Sequence, residues 1–298
     1  MELTGEIGRG AWLLERVGGW GRVGGSAGTG FEAYARILHP VDARRVVSPD
    51  ADEPGERAAI DAARWTWAEV AARNGRVMHP LVQWCRLTDD ETALSFADGW
   101  QVSPSVEGML EPDQLAALTE HLRLSTAAAD DVTAGVWNGW GELHGNGAVY
   151  VFVDADADPV ERATERARAE AERRDSVCAD VRRAAVTGPF LEWPGRDFLL
   201  FGTSLTELAD LRRVSAGECD PGWGIGGVLP QLLWPADRSW VVASEIDWDS
   251  TIVAGSRTLV EEVLADPQFE AYEVDEDSDL TWDGDTLNAE TSARRPDL

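Results

Sequence analysis

Hydrophobic side chains in this chain come in strand-length runs broken by glycine and proline, and that spacing limits what it can fold into. The longest run, "AVYVFV" at 148–153, is six residues, far below the roughly 18 that a membrane helix needs. "FEAYARILH" reads as a strand stopped by Pro40, and "RVMHPLVQW" as a return to extended chain. "VTAGVWNGWGELHGNGAVYVFV" reads as two strands around glycine-rich turns, and "GGWGRVGGSAGTG" as a loop or flexible hairpin. Helical spacing marks "DAARWTWAEVAARNG", ended by Gly75, and residues 111–128, with Leu115, Leu118, His121 and Leu122 on one face. "TIVAGS", "RTLVEEVLAD" and "FEAYEV" complete a β-β-α-β order.

Strands cluster and helices interrupt them, so the expected class is α+β: largely antiparallel sheet with interspersed short helices and one long charged surface helix. That helix carries Arg166–Glu170, Arg168–Glu172 and Glu170–Arg174 at i,i+4 spacing. The expected organisation is an N-terminal half at 1–156, the charged helix or spacer at 157–186, a C-terminal half at 187–274 and an acidic mobile tail at 275–298. An acidic surface loop occupies 49–60.

Charge removes several chemistries. Acidic residues number 54 against 26 basic ones, a net charge of −28, and every basic side chain except the four histidines is arginine. Without lysine there is no Walker lysine, no pyridoxal Schiff base and no Ser–Lys dyad. So negative a surface disfavours nucleic acid as a partner. The start, "MELTGEIGRG", has no signal-peptide pattern, which makes the cytoplasm the expected location and a membrane unexpected. Cys85, Cys178 and Cys219 form no CxxC pair, so neither a disulfide framework nor a zinc ribbon is indicated. Fourteen tryptophans stand out against seven phenylalanines.

Two phrases share an order: "YARILHPV" and "NGRVMHPL" each run Arg, two apolar residues, His, Pro. Arg36 and His39 recur as Arg76 and His79. The prolines place both histidines at strand ends, where paired strands would turn them toward each other to hold an anion or a metal; alternatively, each imidazole caps a turn and donates to a carbonyl. In "ASEIDWDST", Glu245, Asp247 and Asp249 share one face of a strand, a row of carboxylates that needs arginine or a divalent ion. Arg196 and Arg238, from the echoing phrases "EWPGRDFLLF" and "LWPADRSWVV", are the expected partners. Both phrases read as loop-to-strand entries. Trp137 and Trp140 in "WNGWGEL" wall a stacking pocket or pack a tight turn. "GGSAG" matches a nucleophile-elbow pattern around Ser26 in poor context. "DADADPVERATE" at 154–165 has acids at calcium-loop positions, but Pro159 stands where glycine is needed.

Taken in order, "GFEAYARILHP", "WAEVAARNGRVMHPLVQW", "WNGWGEL", "EWPGRDFLLF" and "WPADRSWVVASEIDWDSTIVAG" resemble a group of hypothetical proteins of high-GC actinobacteria, over residues 30–274. The resemblance implies a bacterial cytoplasmic origin and one continuous architecture, and it carries no catalytic residue or cofactor. The functional expectation is a non-catalytic binding protein whose acidic, Trp-rich surface engages a basic protein partner, in the manner of an immunity protein or antitoxin. The alternatives are a metal-dependent or carboxylate-based hydrolase using the Glu245/Asp247/Asp249 face, and a scaffold within a larger assembly. Oligomeric state stays open.

Overall fold

The computed structural model of the chain describes residues 1–47, 59–89, 93–144, 176–213 and 223–289, with Asp158, Val160, Thr164 and Arg168. The strand expected at 148–153, most of the charged helix with its Arg–Glu pairs, most of the run 154–165, most of the loop at 49–60, Cys219 and residues 290–298 lie outside the described residues. The fold is α+β, with its sheets mostly antiparallel. Its strands are β1 (Glu2–Thr4), β2 (Ala33–Leu38), β3 (Val41–Val47), β4 (Ala59–Trp65), β5 (Leu94–Ser95), β6 (Trp100–Val102), β7 (Val132–Trp137), β8 (Leu191–Trp193), β9 (Arg196–Thr203), β10 (Leu232–Pro235), β11 (Val241–Ser244), β12 (Ser250–Gly255) and β13 (Glu270–Val274). Two compact units emerge, each from two stretches of chain: Met1–Glu15 with Pro112–Ser239, and Arg16–Glu111 with Trp240–Leu298. Their cuts differ from the halves laid out above.

In the first unit β9 pairs with β7 along one edge and with β1 and β8 along the other, and β7 pairs with β10. The helix Pro112–Leu124 buries Leu115, Leu118 and Leu122, the stripe its spacing predicts. Both phrases lead into a strand as expected, β9 from Arg196 and β11 from Val241, but each Trp-Pro pair lies at the end of the preceding strand, which corrects the placing of the prolines at strand starts. Trp193 closes β8, and Pro194 with Gly195 (φ +77°) makes the turn into β9. Pro235 closes β10 opposite Val132, where its missing N–H costs little.

The second unit holds an antiparallel sheet in the order β11, β12, β2, β13, with the helix Arg257–Ala265 against β2, β12 and β13. A smaller sheet runs β4, β3, β6, β5. Trp65, Trp67, Trp84, Val41, Val82 and Leu87 share the core beside it. The helical reading of "DAARWTWAEVAARNG" is half wrong. Ala59–Trp65 is strand β4, since Asp61, Ala63 and Trp65 alternate onto one face against β3. The helix starts only at Trp67, fixed by a capping box in which Thr66 Oγ accepts from the Glu69 N–H (3.2 Å) and the Glu69 carboxylate from the Thr66 N–H (2.7 Å). Gly75, left-handed at φ +67°, ends it as expected. The glycine-rich stretch is no flexible hairpin, because Val23–Ala27 is a short, largely buried helix. Among the described residues no helix is long and apolar enough to cross a membrane.

Candidate functional site: a buried arginine centre and a docked acidic strap

The two Arg–His–Pro phrases meet, though not through their histidines. Arg36, in the middle of β2, is buried, and its Nε donates to Ser250 Oγ at 2.9 Å. Its Nη1 donates to the carbonyls of Pro80 (3.1 Å) and Val82 (2.7 Å), so the arginine of one phrase grips the backbone that follows the histidine of the other. The guanidinium lies 5.8 Å from the Trp67 ring. Burial pushes its pKa down to about 10, opposed by the charges of Asp249 and Asp285.

His39 follows β2 and has no exposed surface. Its Nδ1–H donates to the Val106 carbonyl at 2.7 Å, because that oxygen can only accept. Its Nε2 therefore accepts from Thr251 Oγ1 at 2.8 Å, and Thr251 Oγ1 in turn accepts from Ser244 Oγ at 2.7 Å. The result is a directed chain from Ser244 to Val106 through a neutral ring. Burial holds the His39 pKa down at about 4, with Arg36 adding to the effect and the Val106 bond opposing it.

His79 carries the opposite tautomer. Its Nδ1 accepts from the Leu81 N–H at 3.3 Å, so the proton sits on Nε2 and points at Asp285, 2.7 Å away. His39 and His79 share no hydrogen bond, and His79 does not end a strand. Residues 76–83 belong to no strand, and Pro80 and Leu81 make a turn closed by the Val82 N–H on the His79 carbonyl (3.1 Å), which corrects the expected return to extended chain. The side-chain amide of Asn288 stands in for a neighbouring strand, accepting from the Val77 N–H and donating to the Val77 carbonyl, each at 3.0 Å. Arg76 pairs with Asp89.

The carboxylate row also takes a different form. β11 ends at Ser244 and β12 starts at Ser250, so Glu245, Asp247 and Asp249 lie in the hairpin turn between them and not on a strand face. Glu245 turns inward on its own loop: its carboxylate accepts from the Asp247 N–H (2.7 Å) and its carbonyl from the Trp248 N–H (3.0 Å). Period-two reasoning fails where the backbone reverses. Burial raises the Asp249 pKa to about 6 against the pull of Arg36. Burial, then Asp247 and Glu245, raise that of Glu107. Among the described residues no group of three or more His, Cys, Asp or Glu side chains is placed to hold a metal ion.

The remaining expected residues lie in the first unit. Trp137 and Trp140 meet edge to face at 5.7 Å, with Arg196 over Trp137 at 5.7 Å. A Cβ on Gly139 would come 2.0 Å from the Trp137 ring, so the glycine is what lets the indole fold back over its own turn. Arg238 (φ +58°) stacks on Trp12 at 5.4 Å. Ser26 is buried within the short helix, outside any strand–turn–helix elbow.

Residues 275–289, expected as part of a mobile tail, form a strap packed on the second unit. Its centre is Asp285, whose side chain is fully buried. The carboxylate accepts from His79 Nε2, the Gln83 N–H (3.1 Å), the Asn288 N–H (3.0 Å) and Asn288 Nδ2 (2.9 Å). Burial alone would raise its pKa, but these donors together hold it below the ordinary carboxylate range. The signal available in the sequence was the spacing Asp285-x-x-Asn288, two short polar side chains that satisfy local backbone. Acidic composition masked it.

Comparisons with family models, with curated proteins and with solved structures each found no match.

Proposed function

We propose that this protein is a binding module whose strap face docks an arginine- or lysine-rich segment of a protein partner. The observation that carries the reading is the placement of its two most exposed indoles. Trp20 is 88% exposed and Trp282 57% exposed. Trp20 precedes Gly21, which packs against Thr281, and Trp282 follows Thr281, so the two tryptophans are the chain neighbours of one close contact between strap and bed. Asp275, Asp277 and Asp283 are exposed beside them and belong to no ion pair among the described residues. Trp282 already displays the relevant chemistry within the chain, with Arg86 4.5 Å over its ring. An exposed cation–π contact is worth about 0.5–1 kcal/mol and more once desolvated, and the net charge of −28 speeds the approach of a cation. Aromatic anchors ringed by carboxylates suit arginine better than any other side chain.

Fluorescence anisotropy with a labelled Arg/Lys-rich peptide tests this at low and high salt. Salt-sensitive binding is expected, weakened several-fold by Trp20→Ala with Trp282→Ala, and again by neutralising Asp275, Asp277 and Asp283. Neutralising three exposed acids of the first unit (Glu2, Glu192 and Asp197) separates site from bulk charge. Equal losses from both sets of neutralisations would refute the site.

A further inference from the structure

The strap lies in a bed built by other parts of the second unit. Backbone bonds run along its first half: the Gly24 N–H donates to the Glu276 carbonyl (2.8 Å), the Val23 N–H to Ser278 (3.1 Å), and the Leu280 N–H to Gly21 (2.9 Å). Leu280, Asp285 and Asn288 point inward and are buried, while Trp282, Asp283 and Leu287 face out. The strap is turned and not a regular strand, with a turn at 276–277 and a 3-10 turn at Trp282–Gly284, so its inward anchors Leu280, Asp285 and Asn288 fall five and three residues apart. Main-chain bonds joined to side-chain anchors are how proteins take up peptides.

The bed is closely fitted to the strap. A Cβ on Gly21 would lie 2.5 Å from Thr281 Cγ2, and one on Gly24 would lie 3.2 Å from the Glu276 carbonyl, so these glycines are what allow the close approach. Two of the four donors that meet Asp285, His79 Nε2 and the Gln83 N–H, come from outside the strap, and Asn288 within it supplies the other two. Leu81 fixes the His79 tautomer, and Arg36, held by Ser250, Pro80 and Val82, supplies the positive field. Adhesion is chiefly polar, because Leu280 is the one large apolar side chain of residues 275–289 that is buried. A segment held this way opens at a lower cost than a packed strand.

We propose that this bed is a peptide-binding groove with a carboxylate hole, filled in cis by the chain's own Asp285. In trans it takes an acidic peptide that offers Leu and Asp at the spacing of Leu280 and Asp285 and adopts the same 3-10 turn between them. The strap leaves and returns as one piece while β2 and β12 stay folded. This holds whether or not the outer acids engage a basic partner.

The test uses the full chain near neutral pH. In Asp285→Asn the amides of Val23, Gln83, Leu280 and Asn288 should exchange hydrogen together, about tenfold or more faster than in the parent, as expected for losing bonds to a charged acceptor. The β12 amides should keep their protection. A labelled peptide of residues 275–289 should bind this variant about tenfold tighter than the parent, and a peptide with Asn in place of the aspartate should bind more weakly. Asn288→Ala keeps the Asp285 carboxylate but removes one of its donors and the two Val77 bonds, and it should show the same pattern if Asp285→Asn does not fold. Exchange of the four amides only in step with β12, or equal peptide affinity for parent and variants, would overturn the proposal.

Discussion

The buried centre contains two titrations that oppose each other, and separating them tests how the second unit is held together. His39 has its pKa lowered from 6.5 to about 4 in the folded chain. The unfolded chain therefore binds a proton first, and stability drains away as pH falls from 6.5 to 4. At about 1.4 kcal/mol per unit the full loss is about 3 kcal/mol. Asp249 has its pKa raised from 3.8 to about 6. Here the folded chain takes the proton first, so stability is gained as pH falls from 6 to 3.8. The gain is about 3 kcal/mol, trimmed toward 2 because Asp249 keeps part of its surface in water. The two contributions nearly cancel in the parent. Asp249→Asn should expose the histidine loss, and His39→Gln should expose the carboxylate gain. Exchange protection of the amides of residues 251–254, taken as a variant-to-parent ratio at each pH, removes the intrinsic rates. Between pH 6.5 and 4 that ratio should fall roughly 30- to 100-fold for Asp249→Asn and rise by a similar factor for His39→Gln. Ratios that stay flat with pH would show that neither group is held as described.

Arg36→Met should cost about 3–5 kcal/mol, since it strands two carbonyls and leaves Asp249 and Asp285 without a nearby cation; protection of the second unit's amides measures it. Glu270 accepts from the Trp67 and Ala68 N–H groups at 2.6 and 2.8 Å, so Glu270→Ala should cost about 1–2 kcal/mol and fray the first turn of Trp67–Asn74 in exchange measurements. Gly21→Ala places a Cβ against Thr281 at φ +72°, and should free the strap amides by about 1–2 kcal/mol. Thr281→Ser should restore part of that loss, since it removes the clashing methyl but not the backbone strain.

Elements with a regular period were legible in the sequence. β2, the helix Pro112–Leu124 and the order β11, β12, helix Arg257–Ala265, β13 follow from spacing alone. Ala59–Trp65 was not, because alanine favours a helix locally and only its partner β3 makes it a strand. The repeated Arg–His–Pro phrase was visible, but its geometry was not: Arg36 reaches the carbonyls of Pro80 and Val82, and backbone oxygens leave no mark in a sequence. The strap was hidden for a related reason. Its anchors are single polar side chains meeting residues some two hundred positions away, and acidic composition argues for solvent until those donors are known.

The order in which the chain supplies its strands has a cost during synthesis. All six residues of β2 are buried in the finished protein, and both strands that flank it come from Ser250 onward. At about 5–20 residues per second, an apolar ribbon with two bare edges waits some 10–40 seconds behind the ribosome before either neighbour exists. Nascent chains halted before β12 should therefore recruit ribosome-associated chaperones and aggregate when released, whereas those halted just after β13 should not.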